Sequence, residues 1–102
     1  MRRLTPFAGA SLTAAQLSAS YATLVSGVGG RGVTLFFTNS LNGDVIISLD
    51  GGTTQFLMLP AGVGLALDLG ANDAEFSGTV SAKDGTTAAT TGYISCGVVR
   101  VL

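Results

Sequence analysis

Ala74-Glu75-Phe76-Ser77-Gly78-Thr79-Val80-Ser81-Ala82-Lys83 alternates without a break: Ala74, Phe76, Gly78, Val80 and Ala82 fall on one side of an extended chain, and Glu75, Ser77, Thr79, Ser81 and Lys83 on the other. Successive side chains of a strand point to opposite faces, so this period predicts a strand with one face on a core and one in water. The same period recurs in Val63, Leu65, Leu67 and Leu69 set against Gly64, Ala66, Asp68 and Gly70. In Asp44 to Asp50, Val45, Ile47 and Leu49 share a face while Ile46 stands opposite among Asp44, Ser48 and Asp50. Three further runs, Val33 to Thr38, Gln55 to Leu59 and Tyr93 to Val101, are apolar on both faces in places. Such runs suit a sandwich interior or a subunit contact.

Between the runs lie turn clusters: Asn39-Ser40-Leu41-Asn42-Gly43, Asp50-Gly51-Gly52, Pro60-Ala61-Gly62, Gly70-Ala71-Asn72-Asp73 and Lys83-Asp84-Gly85. Gly reaches positive φ, Asn and Asp bond nearby backbone, and Pro presets φ, so each cluster reverses the chain at low steric cost. Short strands with turns at this rhythm predict an all-β fold, a single small antiparallel β-sandwich or jelly-roll-like barrel. The first residues read differently. A flexible or partner-docked N-terminal arm is expected over residues 1–12, with the sandwich domain over 13–102. Thr13-Ala14-Ala15-Gln16 has capping-box spacing, but Tyr21 to Val25 reads equally well as a strand; a first strand near Tyr21 to Ser26 is favoured, with Gly27 to Gly32 as a loop.

The chain has 102 residues, enough for one domain, and is 47% hydrophobic, yet it carries only five Lys and Arg and six Asp and Glu. A soluble domain ordinarily has about 25% charged residues, so at 11% this one is short of the groups that keep neighbours apart. The net charge of −1, with no basic cluster, argues against direct nucleic-acid binding. Thr5, Pro6, Gly9, Ser11, Thr13 and Gln16 interrupt the stretch after Arg2 and Arg3, leaving no signal-peptide h-region, and no segment approaches the ~18 apolar residues of a spanning helix; no membrane role is expected.

Catalytic chemistry is hard to assemble from these residues. There is no His, hence no Ser-His-Asp or Cys-His arrangement and no imidazole metal ligand. Asp73 and Glu75 could share a strand face as an acid pair, but at the start of a strand they read first as solvated charges. The glycine run Gly27-Val28-Gly29-Gly30-Arg31-Gly32 is followed by strand rather than by the helix that a phosphate loop requires. Asp50-Gly51-Gly52-Thr53-Thr54 and Asp84-Gly85-Thr86-Thr87 offer oxygens of the kind a hard cation takes, without EF-hand spacing; the ordinary turn is the simpler reading. Cys96, the single cysteine, sits in an apolar run and reads as a small buried hydrophobe. No catalytic residue, metal ligand or cofactor is assigned.

Self-association is the positive expectation. Phe36 and Phe37 are adjacent, so in a strand they point to opposite faces, and one of them needs a second apolar environment. The interface candidates are Phe7, Leu12, Leu17, Phe36, Phe37, Ile46 and Met58. Uncharged edge strands invite another chain to pair with them, which an oligomer turns to use.

Gly43-Asp44-Val45-Ile46-Ile47-Ser48-Leu49-Asp50-Gly51-Gly52-Thr53-Thr54, then Phe56-Leu57-Met58-Leu59-Pro60-Ala61-Gly62, Leu65-Ala66-Leu67-Asp68-Leu69-Gly70 and the closing Thr91-Gly92-Tyr93-Ile94-Ser95 together resemble a group of small all-β virion proteins of tailed bacteriophages. The likeness runs from about residue 18 to the end, as a pattern of strands and turns. It implies a β-sandwich that decorates or cements the capsid exterior against the pressure of packaged DNA, with the major capsid protein or other virion proteins as partners. A head-tail connector, collar or tail component is the alternative. It places the chain in the virion after synthesis in the host cytoplasm. A receptor- or carbohydrate-binding module would want aromatic platforms, and the chain has no Trp and two Tyr.

Overall fold

The structure is a computed structural model that describes residues 4–68 and 75–101, with the side chains of residues 4–8, 31, 75 and 101 outside the description. The Gly70 to Asp73 turn, the Asp73 and Glu75 carboxylates and the Phe7 side chain therefore lie outside the described residues. The strands are β1 (Leu4–Thr13), β2 (Ala22–Asn39), β3 (Val45–Ser48), β4 (Leu57–Leu59), β5 (Gly64–Asp68), β6 (Glu75–Asp84) and β7 (Tyr93–Val101).

β2 is the key to the architecture, because it belongs to two sheets. Its first half, Ala22 to Arg31, pairs with β6; its second half, Thr34 to Asn39, pairs with β7 on one side and β5 on the other. Sheet one thus runs β4-β3-β6-β2 and sheet two β1-β7-β2-β5, all antiparallel. With the halves of β2 counted separately, these are eight strands in two four-stranded sheets, in the order of a jelly roll. Arg31 marks the crossing, since its backbone is in register with both Glu75 of β6 and Val101 of β7.

Glycine makes that crossing possible. The register slips at Thr23/Val25, Val25/Val28 and Arg31/Thr34, and Gly30, at φ 136, takes a conformation that a side chain would strain. The expected Gly27 to Gly32 loop is therefore corrected: glycine frequency there supplies bulges within a strand, not a connection. The expected arm is corrected too. Leu4 to Thr13 is the edge strand of sheet two, in register with β7 from Ala8↔Val98 to Thr13↔Tyr93. The capping-box segment is a single 3-10 turn, Ala14–Gln16, in which the Thr13 amide donates to Gln16 Oε1 at 2.8 Å.

The two sheets enclose one core. Val33, Leu35 and Phe37 of β2, Ile94, Cys96 and Val98 of β7, Val45 and Ile47 of β3, and Val80 and Ala82 of β6 are all buried in it, as the period of two predicts. Asn39 continues the inward series at the end of β2. Its Nδ2 donates to the carbonyls of Gly43, Leu59 and Pro60, and its Oδ1 accepts from the Leu41 amide at 2.9 Å. One buried amide thereby ties the β2–β3 turn to the β4–β5 turn, and its own polar atoms are satisfied.

Candidate assembly surface

In β7 the buried residues Ile94, Cys96 and Val98 alternate with Tyr93, Ser95, Gly97 and Val99, which therefore face outward from sheet two. Register extends each across the sheet. One row reads Ser11, Ser95, Thr38, Gly64; the next reads Gly9, Gly97, Phe36, Ala66; a third joins Val99, Thr34 and Asp68. Phe36, 48% exposed, thus rises from a row of glycine and alanine. Tyr93, equally exposed, closes the face beside Thr13. Asp68 is the single charged residue of this face among the described residues.

The outer face of sheet one is built differently. Met58, Ile46 and Lys83 form a row across β4, β3 and β6, and the Lys83 ammonium sits 4.7 Å from the centre of the Tyr21 ring. In the neighbouring row, Ser48 and Ser81 point away from the core yet are buried, and residues 50–52 fold back onto the Ser48 hydroxyl. The Ser48 hydroxyl donates to Asp50 Oδ1 at 2.7 Å and accepts from the Gly52 amide at 3.0 Å; the Thr54 amide donates to the same Asp50 oxygen at 2.8 Å. These bonds, that from Thr54 foremost, hold the Asp50 carboxyl down to about 2. The Thr87 amide, at 3.0 Å from Asp44 Oδ1, lowers that acid in the same way.

The Asp50 turn is thus closed by its own bonds, whereas the Asp84-Gly85-Thr86-Thr87 turn is held from outside by Asp44, whose carbonyl and Oδ1 accept from the Gly85 and Thr87 amides, and Asp84 Oδ1 itself is buried without a hydrogen-bond partner. Among the described residues, no three Cys, Asp or Glu side chains gather as a metal site would need. Beside this loop a hollow of about 270 Å³ is lined by Leu49, Asp50, Thr54, Phe56, Phe76 and Ser77, with Phe56 about half-exposed. Its lining is apolar apart from two hydroxyls and the Asp50 carboxylate that the turn already engages.

Of the interface candidates, Phe36 and Met58 are exposed and Ile46 is half-buried on the outer face of sheet one. Leu12 is half-buried against the core. Phe37 and Leu17 are corrections: each is buried in the core, so neither side chain is offered to a partner. The second apolar environment needed for the Phe36-Phe37 pair is needed for Phe36 alone. Tyr93, Phe56 and Val63 are exposed apolar residues not among the candidates. Tyr93 was detectable, since it stands out of phase with Ile94, Cys96 and Val98 in the same run. Cys96 is shut in the core, and burial pushes its thiol up to about 12, which removes it as a nucleophile.

A solved structure shares this fold over the whole of the present chain. It is a subunit from work described as "Bacillus endospore appendages form a novel family of disulfide-linked pili", at TM-score 0.57 and 17% identity, covering 100% of this chain and 91% of that one. No protein-family model matches the chain, and no curated protein does. At that identity the likeness speaks for the jelly roll alone.

Proposed function

We propose that this chain is a non-catalytic structural subunit of a multi-copy assembly, held by contacts between sandwich faces. The observation that carries the reading is the outer face of sheet two, where two half-exposed aromatic residues stand on small and hydroxylated neighbours with Asp68 as the only charge among the described residues. A face of this kind is a liability on an isolated domain and an asset between subunits. The charge deficit of the whole chain and the fold shared with a pilus subunit support it.

The linkage would be non-covalent. The chain has one cysteine, which can join at most two copies, and that thiol is buried and unreactive. The disulfide-linked character of the appendage pili therefore does not carry over to this sequence.

The finer station we propose is the exterior of a phage head, as a decoration or cement protein, on the strength of the strand-and-turn resemblance between residues 43 and 95. The fold shared with a pilus subunit favours a second reading, a filament. One pair of experiments separates them. Electron microscopy of the purified chain at high concentration shows filaments in the second case, whereas quantitative mass spectrometry of intact particles finds hundreds of copies in the first. A chain that stays monomeric, joins no particle and forms no polymer refutes both.

A further inference from the structure

We propose that two copies of this chain meet through the outer faces of sheet two, about a two-fold axis that runs parallel to the strands midway between β2 and β7. The proposal rests on the reading of the chain as an assembling subunit and names the surface by which it assembles.

The rows of the sheet supply the geometry. Neighbouring strands lie ~4.8 Å apart, so an axis midway between β2 and β7 places each β2 over the partner's β7. Phe36 then comes down on Gly97, its own row-mate in the other copy, with Gly9 on β1 widening the trough. That space is open: a Cβ built on Gly97 meets nothing within 4 Å. The two Phe36 residues end up side by side, offset by ~5 Å, within the range favoured for displaced aromatic pairs. Tyr93 lies on β7, so the same axis sets its ring over the end of the partner's β2, beside the other Tyr93. Both exposed aromatics of the face flank a single line, and each copy brings the projection and the hollow that the other lacks.

Charge points to the same occupant. Among the described residues the face offers a single charge, Asp68, for an oppositely charged partner to recognise, and the axis keeps the two Asp68 residues apart. Asp68 lies on β5, outside β2, so each Asp68 falls over the partner's β1 and the two are separated by ~14 Å across the strands, beyond the ~8 Å screening length of physiological salt. The contact is small. Four strands by seven residues span roughly 19 by 24 Å, below the ~800 Å² per partner of a standard interface, so the free dimer is weak and gains from the many copies of an array.

Sedimentation equilibrium of the full chain over a concentration series tests this, with Phe36→Thr removing the projection and Gly97→Thr filling the hollow. Threonine suits an exposed strand site, and Gly97 has room for it, so the second variant keeps the fold. The wild type is expected to dimerise with rising concentration, and each variant to raise the Kd about tenfold or more. A wild type that dimerises while both variants do so equally well overturns this pairing but leaves the assembly reading standing. A wild type monomeric throughout, yet abundant in a particle, does the same; one that is monomeric and joins nothing overturns both.

Discussion

Sheet one and sheet two bury their inner faces in the same core, but they treat their outer faces in opposite ways. Sheet one is partly screened by its own chain: residues 50–52 fold back onto Ser48, and Lys83 interrupts the apolar row of Met58 and Ile46 before it reaches Tyr21. Among the described residues, sheet two has no such screen over Phe36 and Tyr93, each 48% exposed. The difference lies in charge and cover more than in exposed apolar area, since Met58 is itself 44% exposed on sheet one. On that side a lysine ends the apolar row, and on the other the rows of Phe36 and Tyr93 carry no charge among the described residues.

Neighbouring residues give the severest test of that division. Phe37 fills the core and Phe36 does not, so Phe37→Ala is expected to cost about 3–5 kcal/mol in chemical denaturation, enough to unfold a small domain of ordinary margin. Phe36→Thr should move stability by no more than about 0.5 kcal/mol. Equal losses at the two positions would erase the distinction between inner and outer faces of β2.

The screen on sheet one is expected to fail by a smaller step. Ser48→Ala removes the hydroxyl that the Gly52 amide and the Asp50 carboxylate share, at a fully buried site, and should cost about 1–3 kcal/mol. Faster hydrogen exchange at Gly52 and Thr54, with β7 unchanged, would show that the loss is local to the loop.

Acid should loosen the same screen without mutation. Asp50 is held down to about 2 from an ordinary 3.8, so the ionised form is the one the folded loop favours. Its contribution is complete above pH ~4 and is lost as the pH falls through about 2. The Thr54 amide shift, followed by NMR, is therefore expected to titrate near 2. An inflection near 4 would mean that the turn does not grip its carboxylate.

Much of this contrast was legible in the sequence. Period two identified the inward sets Val45 and Ile47, and Val80 and Ala82, because burial on one face leaves its mark on every second residue. It also showed that Phe36 and Phe37 must part company, though not which of them goes inside. Three features escaped for physical reasons. β1 is an edge strand whose described outer positions Gly9, Ser11 and Thr13 are small or polar, and it is held by backbone pairing with β7, which side-chain periodicity does not register. The Gly27 to Gly32 run has the composition of a loop because a strand that changes sheets needs the same freedom of φ that a turn does. The loop over Ser48 was hidden as well, since a serine facing outward from a strand looks solvated until the chain that covers it is placed.

The smallest effect on stability bears most directly on why sheet one stays free. Lys83 contributes a cation–π contact with Tyr21, so Lys83→Met should change folding stability by only about 0.5–1 kcal/mol. Yet it removes the one charge in the Met58-Ile46-Lys83 row and turns the outer face of sheet one into a continuous apolar strip. Paired with Phe36→Thr to silence sheet two, it is expected to restore concentration-dependent association, now through the opposite face, detectable by light scattering. If the double variant stays monomeric, charge is not what separates the two faces. The folded-back loop would then be the sufficient screen, and Ser48→Ala added to the same background should release the association that Lys83→Met did not.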